Sequence, residues 1–473
     1  MQLEFFGAAG EVTGSCHILR VGRTTLLLDC GLIQGGERPE LRNRADFPFD
    51  AAKIDAVILS HAHIDHCGRL PLLYRRGFRG PIHATPPCRD LTRILLADSA
   101  SLAARDAERE NRRRAEAGDG ERMEPLYSPE DAERTLRLFR AHRYAAAVEI
   151  AAGVELRFLD AGHIMGSASV WLRLTEGEIM RHVVFSGDVG QYDSPILRDP
   201  QSDREPPVDL ALMESTYGDR RHRERADTLR ELGDILAAAK RDGGNVLIPA
   251  FAVGRSLELL YELGRHYDDW QLADWQVFLD SPMAIETSEI YWRNHEYFDE
   301  EADALRRRAD DAFPPLPSLR LCRTTKDSMA INRIRHGAIV IAGSGMCTGG
   351  RIVHHLKHNL PRPECDVIFT GFQAQGTLGR AIVDRRDHVR IHGNQVRVAA
   401  RVHTLGGFSA HGDQDDLRRW HAALPGRPPV WLVHGETGAA AALRDALREH
   451  GVSADLAHPG LRLDLGSLAD VRN

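Results

Sequence analysis

Six short apolar runs in this chain end on a side chain that can hold a metal ion. Asp29 follows "TTLLL", His61 follows "AVILS", His163 follows "RFLDAG", Asp188 follows "VVFSG", Glu214 follows "LALM" and His434 follows "VWLV". One polar residue at the end of a strand is unremarkable. Six of them, drawn from distant parts of the chain, point to side chains gathered along one edge of a sheet, because α/β folds bind ligands outside the ends of their strands. Taken singly, each residue reads equally well as a buried, hydrogen-bonded polar group, and for Asp29 both readings stand.

The stretch "LSHAHIDHCGRLP", Leu59 to Pro71, packs three histidines and an aspartate into six residues, as His-x-His-x-Asp-His. It sits between an apolar run and a helical pattern. His61 and His63 are two apart and can point the same way from an extended segment. Asp65 and His66 lie just beyond the bend, within reach of a second metal. Zinc takes imidazole nitrogen and carboxylate oxygen, and a catalytic zinc keeps a position open for water. Two metals held roughly 3.5–4 Å apart need a bridging carboxylate, and Asp188 is the residue assigned to it. No thiolate site is expected, since Cys67 falls at a helix start and reads as packing.

With 473 residues the chain is too long for one ordinary core and fits two or three domains. No window of about 18 apolar residues occurs, so no membrane span is expected. The start, "MQLEFFGAAGEVTGSC", lacks the basic and apolar regions of a secretory signal. Seven scattered cysteines without a CxxC pair suit a reducing cytoplasm. A net charge of −7 argues against holding nucleic acid by global charge, and leaves room for a local basic groove. The richness in Ala, Arg and Asp reads as lineage bias.

Between Arg89 and Tyr144 the pattern predicts a solvated helical hairpin, with Ser128 as the N-cap of its second helix and Pro129 in the first turn. From about Asp227 the rhythm changes to alternating helix and strand: "ADTLRELGDILAAAKRDGG", "NVLIPAFAVGRSLELLYELGRH", "QVFLDSP", "GAIVIAGSGMCTGGR" and "CDVIFTGFQAQGTLGR". That alternation predicts a parallel sheet flanked by helices. After about Asn394 short strands return. Two glycine-rich strand ends, "GSGMCTGGR" with Ser344, Gly345 and Arg351, and "GTLGR" with Arg380, combine exposed backbone N–H groups with a guanidinium and are candidate phosphate sites. Arg255 in "FAVGR" is a lesser candidate. As a plain reading, both loops are tight turns of an α/β domain.

These residues carry a resemblance. From "FFGAAGEVTGSC" through "SHAHIDHCGRLP", "DAGHIMGSAS", "FSGDVG" and "ESTYGDR" to "FSAHGD" and "LVHGE", nearly the whole chain resembles the metallo-β-lactamase fold superfamily and its β-CASP nucleases. Those nucleases include ribonuclease J, the archaeal and eukaryotic mRNA 3′-end processing nucleases and stand-alone bacterial relatives. The resemblance implies an αββα sandwich interrupted by a β-CASP α/β domain. Lactamase-like parts are then expected at 1–208 and 395–473, with the insert at 209–394. It implies two zinc ions per chain, one held by His61, His63, His163 and Asp188, the other by Asp65, His66, Asp188 and His434. Asp29 matches the motif that orients the histidine cluster from outside the ligand set. Glu214 and His411 match the β-CASP carboxylate and histidine, and His434 resembles the RNA-cleaving branch. The extra C-terminal domain of ribonuclease J and the N-terminal RNA-binding domains of archaeal relatives are not expected here.

The expected activity is a zinc-dependent ribonuclease of the cytoplasm. A two-metal-activated hydroxide attacks the phosphodiester, Asp65 belongs to the catalytic set, and His411, oriented by Glu214, protonates the leaving 3′-oxygen. The products are a 5′-phosphate and a 3′-hydroxyl. Single-stranded RNA and a second copy of the chain are the expected partners, with no membrane. Two rival readings use the same residues: a hydrolase of small thioesters or lactams, and a non-catalytic RNA-binding scaffold. The first leaves the long insert and the pair Glu214 and His411 without a role; the intact ligand set weighs against the second.

Overall fold

The computed structural model describes residues 1–119, 121–202, 206–308, 314–371 and 373–468. The chain forms two compact units, one of Met1–Ser194, Arg198–Arg221 and His411–Asn473, the other of Pro195–Leu197 and His222–Ala410.

The first unit holds two seven-stranded sheets. Period-2 alternation explains how they face each other. Leu26 and Leu28 of strand Thr24–Leu28, Val170 and Leu172 of Ala168–Glu176, and Val183 and Phe185 of Ile179–Phe185 meet in one buried cluster between the sheets. Trp171, Val184 and Ala211, one register out, face away from it. They are buried under helices Gln414–Ala423 and Thr437–Glu449 through Trp420, Leu417, Leu443 and Leu447. Each sheet is antiparallel at one end and parallel at the other: Thr24–Leu28, Ala56–Ile58, Ile82–Ala84 and Phe139–Ala141 run parallel in one, and Ile179–Phe185, Leu210–Glu214, Val430–Val433 and Ala454–Leu456 in the other.

Helix Pro86–Glu116 and helix Pro129–Leu136 fill most of the stretch read as a helical hairpin, and Ser128 closes a capping box with Asp131. The stretch does not end as a helix. Phe139–Ala141 extends the sheet beside Ile82–Ala84, and three residues are too few to show a strand period.

The second unit is built on a six-stranded sheet, paired in parallel throughout. Its strands are apolar on both faces. Val246, Ile248, Ile339 and Ile341 pack into one core, and Leu247, Val340 and Val367 into the other, as a parallel sheet covered by helices requires. Helix Arg225–Asp242 ends on Gly243 in the left-handed region.

The units divide at 221/222 and 410/411, later than the junctions expected after 208 and 394. Strand pairing accounts for the difference. Leu210–Glu214 lies between Ile179–Phe185 and Val430–Val433 in the first unit, whereas Arg401–Thr404 extends the sheet of the second beside Asp366–Phe369. No helix among the described residues is long and apolar enough to cross a membrane.

Candidate metal centre

Strand direction gathers the candidate ligands. In the parallel half of each sheet of the first unit, carboxyl ends fall side by side, so Asp29 and His61 leave one sheet beside each other, and Asp188, Glu214 and His434 leave the other. Two of these exits are left-handed at non-glycine residues, Asp29 at φ 59° and His434 at φ 49°. Such backbone costs about 1–2 kcal/mol each and persists where its surroundings hold it. Here the amide of Asp29 donates to Ile58 O at 3.0 Å and that of His434 to Ala8 O at 2.6 Å.

Two glycines let the loops close on one another. A Cβ on Gly31 would lie 1.5 Å from the carbonyl oxygen of Asp65, so only glycine lets this strand exit pack on the short helix Ile64–Cys67. Hydrogen bonds from Cys30 N to His66 O and from Ser15 N to Asp65 O fix that approach. Gly190 plays the same part at the other loop, where a Cβ would meet Gly162 O at 1.9 Å and His163 N at 2.8 Å.

The side chains form three groups whose ligand atoms lie within 4.8 Å of one another: His61, His63, His163 and Asp188; Asp65, His66 and His434; and Asp188, Glu214 and His411. Asp188 belongs to both imidazole sets. Its Oδ2 lies 3.4 Å from His61 Nε2 and 3.5 Å from His163 Nε2, and its Oδ1 lies 3.4 Å from His66 Nε2 and 3.6 Å from His434 Nδ1. In the first set His63 Nδ1 is 3.1 Å from both His61 Nε2 and His163 Nε2. In the second, His66 Nε2 faces His434 Nε2 at 3.0 Å, and His434 Nε2 lies 3.3 Å from Asp65 Oδ2.

This donor set fits metal. Asp188 is 2 % exposed, and its Oδ1 has no hydrogen-bond partner. A buried carboxylate oxygen without a hydrogen bond is costly unless a cation meets it. Ring nitrogens converging at 3.0–3.1 Å aim lone pairs at a common point unless a proton or metal lies between them. Electrostatics agree. Burial drives His61 well below its ordinary value and His63 down to about 4, so both are neutral donors at pH 7. Burial pushes the Asp65 and Asp188 carboxyls up, but the imidazoles around them outweigh it and hold both below the carboxylate range. At His66 burial favours the neutral ring, yet Asp188, Asp29 and Asp65 together hold it well above its ordinary value. Three carboxylates about one imidazole mark a place that calls for positive charge.

Asp29 stands behind this set. Its Oδ2 accepts from His66 Nδ1 at 2.7 Å and from the hydroxyls of Ser60 and Ser15, and its Oδ1 accepts from Ser60 N. His411 and Glu214 form the third group. Glu214 is fully buried, accepts from Val189 N at 2.7 Å, and places its two oxygens 3.2 and 3.3 Å from His411 Nδ1. The His411 side chain keeps 21 % of its surface. Burial alone would lower its pKa, but Glu214 and then Asp188 and Asp65 raise it to about 9.

The candidate phosphate residues lie in the other unit. Ser344 and Gly345 form a loop tied to the Arg380 segment, since Gln373 donates to Gly345 O and Gly379 N donates to Met346 O. Arg351 is turned inward, donating to buried Asp280 at 2.7 Å and to the carbonyls of Cys322 and Arg323. Arg380 pairs with Asp384, and Arg255 with Glu258. Three supporting residues escaped the sequence reading: Ser60 and Ser15 at Asp29, and Thr216, whose hydroxyl lies 3.1 Å from His434 Nδ1. Ser60 immediately precedes His61, which was the available signal. Nothing local marks the other two.

Three family models match the chain: the metallo-beta-lactamase superfamily over residues 9–235, the Beta-Casp domain over 256–382, and the Zn-dependent metallo-hydrolase RNA specificity domain over 395–457. The last span includes His411 and His434. The chain is similar to "Ribonuclease TTHA0252" of Thermus thermophilus, 44% identical over 97% of this chain and 99% of that one. It is 30% identical to "Transcription termination factor FttA" of Methanocaldococcus jannaschii over 95% of this chain and 69% of that one. Among solved structures, a protein of unknown function from Enterococcus faecalis superposes with a TM-score of 0.56 at 11% identity, over 98% of this chain and 99% of that one, which is a likeness of fold.

Proposed function

The chain belongs to the metallo-β-lactamase superfamily and to its Beta-Casp branch, and from that premise we propose that it is a zinc-dependent ribonuclease cutting single-stranded RNA to 5′-phosphate and 3′-hydroxyl ends. One zinc would be held by His61, His63, His163 and Asp188, and a second by Asp65, His66, Asp188 and His434. The observation that carries this reading is the division of the Asp188 oxygens between two imidazole sets, inside a chain whose His411 and His434 fall in an RNA specificity domain. Bound there, the two ions would supply Lewis acidity that activates water and polarises the scissile phosphate.

The chain's own residues do the rest. Asp29 fixes the proton of His66 on Nδ1, which turns Nε2 toward the ligand set. Glu214 holds His411 by Nδ1 and keeps it protonated near neutral pH. His411 can then deliver a proton from Nε2 to the departing 3′-oxygen. Seven buried, unbridged cysteines support a reducing cytoplasm. A homodimer is the assembly proposed, to be read from its mass in solution.

The test uses end-labelled single-stranded RNA and DNA of equal sequence, each with 5′-phosphate or 5′-hydroxyl ends. RNA should be cut much faster than DNA. Equal rates reject the RNA assignment and keep a nuclease, and no cleavage of either by zinc-loaded protein rejects both.

A further inference from the structure

On the second unit, strands His388–Ile391 and Asn394–Arg397 form an antiparallel hairpin whose two faces differ completely. Val389 pairs with Val396, and both are buried with Ile391 in the unit's core. On the other face His388 lies opposite Arg397, and Arg390 opposite Gln395, all exposed. Arg385 and Arg386, also exposed, lead into the first strand. Residues 385–397 therefore carry four arginines against one aspartate, a net of +3 in a chain of net −7.

Among the described residues none of these four arginines has an ion-pair partner. Several exposed or half-exposed arginines elsewhere are matched locally. On helix Pro86–Glu116, Arg109 pairs with Asp106, Arg112 with Glu108, and Arg113 and Arg114 with Glu110. At the hairpin tip His392 stacks on His354 of helix Arg351–Asn359, with ring centroids 4.6 Å apart at 30°. Both imidazoles are exposed.

The geometry points to this hairpin as an anchoring surface for single-stranded RNA, outside the metal centre. An unpaired guanidinium presents a planar fork that matches phosphate oxygens. Four of them beside a stacked aromatic pair combine backbone neutralisation with a π-face for a base, the combination that holds single strands without reading their sequence. The inference rests on the proposed ribonuclease reading.

The test compares the zinc-loaded chain with the quadruple variant R385A/R386A/R390A/R397A, which removes only exposed, unpaired side chains. Cleavage of an RNA of roughly 30 nucleotides is measured across salt concentrations, alongside a p-nitrophenyl phosphodiester. The KM for RNA should rise about tenfold or more at low salt, with kcat and the nitrophenyl rate unchanged. The plot of log KM against log salt should become shallower by ~0.7 for each phosphate that the variant leaves unneutralised. His392→Ala should weaken RNA binding several-fold and leave inorganic polyphosphate binding unchanged, because polyphosphate has no base to stack.

An unchanged KM and salt slope, in a chain that cuts RNA, overturns the hairpin's role and leaves the proposed function standing. Should the wild-type chain cut no RNA, the proposed function falls, and filter binding of the same RNA decides the hairpin alone. Weaker binding by the quadruple variant supports it, and equal or absent binding overturns it. A variant that keeps its RNA affinity but loses affinity for poly-glutamate also overturns it, in favour of an acidic protein partner.

Discussion

Oδ2 of Asp29 accepts the Nδ1 proton of His66 at 2.7 Å, inside a pocket where neither residue meets solvent. That bond decides which nitrogen of His66 points at Asp65, Asp188 and His434. Asp29→Asn should keep the fold but loosen the tautomer, since an amide can present its NH₂ to the ring instead. Affinity for one of two zinc ions should fall about 10–100-fold, the usual effect of losing a carboxylate behind a metal-bound imidazole, while the other ion binds as before. Competition with a calibrated chelator resolves the two affinities. A parallel loss at both sites, or at neither, would contradict the assignment of Asp29 to the His66 side.

Asp188 gives a sharper contrast, because its oxygens serve both imidazole sets. Asp188→Ala should lower zinc from the proposed two per chain to one or none, whereas His434→Ala, which touches one set, should leave one. Elemental analysis of the purified variants reads this directly. Two zinc ions retained in Asp188→Ala would remove it as the bridge.

The clustering of the candidate ligands was legible because each follows a strand or lies in one six-residue motif, and parallel pairing brings strand ends together without further information. Residues whose surroundings are set from afar were not. Arg351 sits in a glycine-rich turn that suits phosphate, yet its partner Asp280 lies 71 residues away and nothing near Arg351 announces it. The junctions between units shifted for the same reason: an apolar run such as "LALME" can join either sheet, and only its pairing with Val430–Val433 settles which. Thr216 meets His434 across 218 residues and leaves no mark on its own neighbourhood.

Acid should weaken the first unit through His83. This imidazole is 6 % exposed and faces His142 at 2.9 Å, and burial, then His142 and Arg140, lower its pKa to about 4. The unfolded chain has an ordinary histidine near 6.5, so between those values it binds more protons than the folded chain does. Stability from His83 is thus fully present above about pH 6.5 and is lost as the pH falls toward 4, amounting to roughly 2 kcal/mol by pH 5. His83→Gln cannot titrate. Urea unfolding at pH 7.5 and pH 5 should show a smaller acid loss in His83→Gln than in the wild type, and equal losses would show that His83 does not govern this limb.

His411→Ala tests the proposed proton delivery. His411 is held by Glu214, lies 3.9 Å from Asp188 and belongs to neither proposed zinc set, so the variant should keep both zinc ions. RNA cleavage should nevertheless fall about 10²–10⁴-fold, the usual worth of a general acid. The loss should depend on the leaving group. A ribose 3′-oxygen departs poorly without a proton, whereas p-nitrophenolate needs none, so the variant should cut a p-nitrophenyl phosphodiester almost as well as the wild type. Glu214→Gln should act through the same proton. Burial lowers the pKa of His411, and the Glu214 charge is the main influence that raises it to about 9. An acid works only while protonated, so activity is lost as pH rises through that pKa. Removing the Glu214 charge should move the basic limb of kcat/KM to lower pH on RNA and leave the nitrophenyl profile in place. Zinc lost from His411→Ala, or equal losses on both substrates, would make His411 a ligand or a substrate-binding residue instead of the acid.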